Sequence, residues 1–89
     1  MKRMHVLFSG AVQGIGFRFT CRDIAENLGN ISGTVENLFD RRVELVAEGE
    51  EENLVEFLQK ITEYFGRNIR DKKIEWENAT HEFKGFTIK

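Results

Sequence analysis

The sequence predicts an α+β sandwich: a four-stranded antiparallel sheet carrying two helices on one face. Two observations lead there. Segments alternating apolar and polar residues are interleaved with two segments whose apolar residues recur at helical spacing, in the order βαββαβ. Two βαβ units, each crossing over right-handed, then leave both helices on the same side of the sheet.

In the first strand Met4, Val6 and Phe8 alternate with Arg3, His5 and Leu7, and the pattern stops at Ser9 and Gly10. Phe17, Cys21, Ile24, Ala25 and Leu28 recur every three or four residues as one face of a helix, which Gly29 ends. Thr34 to Leu38 and Arg42 to Ala47 are β-rich runs joined by Phe39-Asp40-Arg41, a spacing that suits a hairpin. Leu54, Phe57, Leu58, Ile61 and Phe65 form the stripe of a second helix. Its start, Glu50-Glu51-Glu52, complements the macrodipole, and Gly66 can end it. Arg67 to Lys73 reads as a polar connection. Ile74 and Trp76 then alternate with Glu75 and Glu77, and a short last run has Phe83, Phe86 and Ile88 around Gly85. This is the ferredoxin-like arrangement, which names no function by itself.

An 89-residue chain without proline, repeat or low-complexity tract reads as one domain, residues 1–89. A formal net charge of -2 gives no global attraction to nucleic acid or anionic lipid, so any anion site must be local. No stretch is apolar enough for a membrane span, and Met1 to His5 run into strand-like alternation rather than a signal peptide. The chain therefore reads as cytoplasmic. The single cysteine, Cys21, excludes an internal disulfide and most thiolate metal sites.

Gly10-Ala11-Val12-Gln13-Gly14-Ile15-Gly16-Phe17-Arg18 leads from the first strand into the first helix. Such a loop points unpaired N–H groups at the helix N-terminus, where the dipole adds positive potential. Gly14 and Gly16 allow positive φ and close approach of an anion, and the Arg18 guanidinium could grip two phosphate oxygens. From spacing alone the segment reads equally as a phosphate nest or as a glycine-rich turn with Arg18 solvated. Neither the dinucleotide fingerprint nor the Walker A pattern fits, because Phe19 stands at the third glycine site and the lysine and hydroxyl are missing.

Gln13-Gly14-Ile15-Gly16-Phe17-Arg18 closely resembles the acylphosphatase signature VQGxGFR, and Gly33-Thr34-Val35-Glu36-Asn37 resembles that family's second block. The resemblance covers nearly the whole chain, including Glu44 to Gly49 and the C-terminal phenylalanine. It implies hydrolysis of a small-molecule acyl phosphate, whose phosphate is bound by Gln13, Gly14, Ile15, Gly16, Phe17 and Arg18 while Asn37 positions the attacking water. It implies a monomer that uses no cofactor and no metal. The chemistry is consistent with so few residues: phosphoryl transfer depends on positioning and charge stabilisation, and a carboxylate leaving group with a pKa of roughly 4.3 needs no proton donor. Read alone, Asn37 near a strand end would simply bond the backbone.

The chain departs from the family pattern at three places. Glu36 replaces a commonly basic residue, but strand alternation should aim it away from Asn37. Asp40-Arg41 replaces Asp-Gly in the hairpin, and Leu28-Gly29-Asn30-Ile31 is one residue longer than the usual link. His5 and His81 read as surface or packed residues, and Trp76 and the eight phenylalanines as core. Arg41, Arg42, Arg67, Arg70, Lys72 and Lys73 read as solvated basic clusters. The competing readings are a phosphate-binding module without turnover and single-stranded RNA binding on the sheet. The second is disfavoured because the loop only partly echoes the RNA-binding motif and the chain is acidic.

Overall fold

The computed structural model describes residues 1–89. The elements are β1 (Lys2–Gly10), α1 (Phe17–Leu28), β2 (Ser32–Asn37), β3 (Val43–Gly49), α2 (Glu51–Phe65), β4 (Ile69–Asn78) and β5 (Phe86–Ile88). Met4, Val6 and Phe8 on β1 and Val43, Leu45 and Ala47 on β3 turn one sheet face inward. Phe17, Cys21 and Ala25 of α1 and Leu54, Phe57, Ile61 and Phe65 of α2 close over that face, as the two periodicities require. Burying each such large apolar side chain contributes about 1.5–3 kcal/mol. Cys21 is fully buried, which pushes its thiol pKa up and leaves it unreactive.

The ferredoxin-like arrangement expected from the sequence is present, with one strand more than the four foreseen. The strand order is β4-β1-β3-β2-β5. The pairs β1–β3, β1–β4 and β2–β3 are antiparallel, whereas β5 adds to β2 in parallel, so the sheet is mixed. Two further readings are corrected. The Arg67 to Lys73 segment is not a connection throughout, because β4 begins at Ile69 and pairs Ile69 with Gly10 and Asp71 with Ser9. Trp76 is not core. It stands opposite Met4 on β4, an edge strand that the helices do not cover, and is 43% exposed. Phe19 and Phe39 are likewise exposed, while Phe8, Phe17, Phe57, Phe65 and Phe86 are buried.

At the β2–β3 hairpin Arg41 adopts φ 74°, a left-handed conformation that costs a side-chain-bearing residue about 1–2 kcal/mol. In the α1–β2 link Gly29 and Asn30 both take positive φ, and the β2 register that follows pairs Asn37 with Val43. His5 lies on the open face with Nε2 2.8 Å from Glu44 Oε2, and His81 is exposed. No helix is long and apolar enough to cross a membrane.

β4 and β5 lie at opposite edges, so the chain between them must span four strand spacings, about 19 Å. Residues 79–85 do this across the open face, where the carboxylate of Glu48 holds them. Glu48 accepts hydrogen bonds from the N–H groups of Thr80 (2.8 Å) and His81 (2.9 Å) and from Arg3 Nε (2.8 Å). Arg3 also pairs with Glu82 and sits 5.1 Å from the centre of the Phe83 ring. Burial alone would raise the Glu48 carboxyl; the donors outweigh it and lower it from 4.5 to about 2. Its folded-state pKa is depressed, so its contribution to stability is complete above pH 4.5 and disappears as pH falls towards 2. Urea titrations of wild type and Glu48→Gln should differ by on the order of 3 kcal/mol near neutral pH. The difference should shrink through that acid window; an equal gap at both ends would refute the assignment.

Candidate active site

The first helix begins without the protection that helix starts usually carry. Its N-cap is Gly16, with no side-chain cap and no acidic residue in the first turn, whereas α2 has Glu51 and Glu52 there. The N–H groups of Phe17, Arg18 and Phe19 have no intrahelical acceptor. Upstream, the N–H groups of Val12 to Gly16 donate to no main-chain carbonyl; the bonds nearest in sequence are Ala11 N–H to Asn68 O and Thr20 N–H to Gly16 O. Eight consecutive amides are thus left without main-chain partners beside the positive end of the α1 dipole.

Gly14 and Gly16 both take φ 78°, and a Cβ at either would meet nothing within 4 Å. Conformation, not crowding, therefore requires glycine at these positions. The loop is secured at its margins. The Phe17 ring is buried between Phe8 and Phe65, with ring centres at 5.0 and 4.6 Å, and the Val12 side chain is fully buried. Gln13 Nε2 donates to the carbonyls of Leu38 (2.9 Å) and Arg42 (3.1 Å), tying the loop to the β2–β3 hairpin.

A pocket of about 190 Å³ opens between this loop and the end of β2, lined by Val12, Gly14, Gly16, Phe17, Arg18, Phe19 and Asn37. Asn37 shares a sheet face with the buried Val35, and Glu36 lies on the other face. The Asn37 carboxamide makes no hydrogen bond within the chain, unlike Gln13. Arg18 Nη1 donates to the Lys89 carbonyl at 3.0 Å, and Lys89 N–H donates to Val35 O at 2.9 Å. The residue that follows β5 therefore fixes the guanidinium, and no Asp or Glu side chain pairs with Arg18.

Of the residues singled out in the sequence, Gly14, Gly16, Phe17, Arg18 and Asn37 meet at this pocket. Ile15 is exposed and not part of the lining, and the Gln13 side chain braces the hairpin instead. Val12, Phe19 and Lys89 were not anticipated. Val12 carried no distinguishing signal, because Ile15 in the same loop is equally apolar yet exposed, and Lys89 carried none, since its role depends on where β5 docks. No three His, Cys, Asp or Glu side chains converge as metal ligands.

A strand-to-helix loop with free amides, an uncapped helix start and a guanidinium with no Asp or Glu partner together give this ferredoxin-like domain a concavity of positive potential. The acylphosphatase family model matches residues 4–88, and the chain belongs to that family. It is 40% identical to an acylphosphatase of Roseiflexus sp. (strain RS-1) across 99% of this chain and 95% of that protein. It is 47% identical to one of Methanospirillum hungatei across 89% and 80% of the two chains. The crystal structure of acylphosphatase from Bacillus subtilis superposes with a TM-score of 0.88 at 26% identity, covering 100% and 99% of the two chains.

Gly16→Ala tests the conformational requirement. With space for the methyl group but φ unsuited to it, the variant should lose about 1–2 kcal/mol in urea unfolding. An unchanged midpoint would mean that the loop relaxes freely.

Proposed function

We propose that this chain hydrolyses the carboxyl-phosphate bond of acyl phosphates to a carboxylate and inorganic phosphate, with residues 13–18 binding the phosphate, Arg18 clamping it and Asn37 positioning the water. Membership of the family supports the reaction class. The observation that carries the residue assignment is the run of unpartnered amides bordering the same pocket as Arg18 and the unbonded Asn37 carboxamide. Gln13 contributes to that run through its main chain, and Ile15 likewise.

The substrate phosphate settles against the amides, and the Arg18 nitrogens not engaged with Lys89 reach oxygens that the amides leave uncovered. As water oxygen bonds to phosphorus, the bond from phosphorus to the acyl oxygen breaks and its electron pair leaves with the carboxylate. Negative charge on the equatorial oxygens meets donors already in place, which is where most of the rate acceleration arises. Asn37 Oδ1 accepts a hydrogen bond from the water and holds it in line, and the water proton passes to a phosphate oxygen. The reaction is metal-independent, because the amides and Arg18 supply the positive potential that a cation otherwise would. One chain provides every group, so the enzyme acts as a monomer.

The test is hydrolysis of a generic acyl phosphate, with chelator throughout, together with inorganic phosphate binding. Arg18→Ala and Arg18→Lys should both lose phosphate affinity, the lysine because it lacks the planar fork. Asn37→Ala should keep affinity and lose kcat by on the order of 10²–10³-fold. Full turnover in Asn37→Ala would remove the water-positioning role, and loss of wild-type activity on chelation would overturn metal independence.

A further inference from the structure

The four arginines read from sequence as solvated, Arg41, Arg42, Arg67 and Arg70, converge on one cleft of about 720 Å³ at the same end of the sheet as the phosphate loop. The hairpin brings two of them and the α2–β4 junction the others, so their meeting depends on the tertiary fold. Asp40 is the one acidic residue lining the cleft, and it is already engaged: its carboxylate lies 2.8 Å from Arg42 Nε and also accepts the Arg42 N–H. Arg41, Arg67 and Arg70 have no carboxylate partner. Three unneutralised guanidiniums around one concavity repel each other, and an anion placed among them removes that repulsion.

The cleft is also preformed. Ala11 N–H donates to Asn68 O at 2.9 Å, and a Cβ at Gly10 would lie 2.3 Å from that same oxygen, so β1 and the 67–70 segment are locked together in close contact. Arg41 is held there in a left-handed backbone conformation that glycine would occupy without strain. Strain retained at a residue lining a charged cleft is what a ligand site would explain.

From these features we propose that the cleft is a second anion site, separate from the phosphate loop, and that it binds a linear oligophosphate. Guanidiniums favour phosphate oxygens in bidentate geometry. The lining has no aromatic ring, and Ala11 is its single apolar side chain, so it offers nothing to a base or an acyl group. The volume, about 720 Å³ against 190 Å³ for the loop pocket, suits several phosphoryl groups in a row rather than one.

Titration calorimetry with inorganic tripolyphosphate and, separately, with uridine triphosphate, both with chelator, tests this, with amide chemical shifts locating the site. Binding should perturb residues 40–42 and 67–70, weaken as salt rises and persist in Arg18→Ala. The double variant Arg67→Ser/Arg70→Ser should bind at least about tenfold more weakly. Arg41→Gly removes the strain, so it should unfold at a higher urea concentration while also binding more weakly. That pairing separates ligand recognition from damage to the fold. Equal affinity for the two ligands, or preference for tripolyphosphate, supports the proposal and says whether a nucleoside is tolerated. Absence of binding, its loss in Arg18→Ala alone, or tenfold tighter binding of the nucleotide would overturn it.

Discussion

Everything at the functional end of this molecule follows from holding eight successive amides open without letting them find carbonyls of their own. A free loop would fold back on itself, because main-chain donors seek acceptors. This one is prevented from doing so at its edges. Val12 and Phe17 are sunk in the core on either side of it, and Gln13 uses its side chain on the hairpin. Two glycines at φ 78° then set the path between these anchors. Gly14, Ile15 and Gly16 are exposed, so their amides stay open to solvent and the desolvation penalty of a buried orphan donor is avoided.

The opposite end of the sheet contributes by a longer route. Glu48 holds residues 79–85 on the open face, which lets β5 reach the edge of β2, and β5 in turn presents the Lys89 carbonyl to Arg18. A buried carboxylate on β3 is thereby connected to the orientation of a guanidinium at the far end of the molecule. Removing its charge would act on Arg18 through the position of a strand rather than through any field, since β2 separates the two along most of the sheet.

Local signals made the two helices, the hairpin and the glycine loop legible in the sequence, because each is specified by periodicity or by residues needing a particular φ. What was not legible depended on distant docking. The parallel pairing of Phe86–Ile88 with β2 is too short to carry a pattern and exists because Glu48 anchors the preceding segment. Ile74 and Trp76 alternate as if half-buried, but they lie on an edge beyond the reach of the helices. In the site, Gly14, Gly16, Arg18 and Asn37 are marked out by the resemblance to the acylphosphatase pattern, because spacing alone leaves the loop open and Asn37 by itself reads as a backbone partner. The task of the Gln13 side chain could not be read, because its partners are main-chain carbonyls 25 and 29 positions away.

Net charge says little about where on the molecule an anion is attracted. A value of -2 gives no global attraction for anions, yet it hides a local cluster of arginines at one end of the sheet. Glu50, Glu51 and Glu52 follow the end of β3 that pairs with Lys2, whereas Arg18, Arg41, Arg67 and Arg70 all lie where β1 and β2 end. With a screening length of about 8 Å at physiological ionic strength, an approaching phosphate responds to the end it faces and hardly to the sum. A molecule that is acidic as a whole therefore presents a cationic end to its substrate.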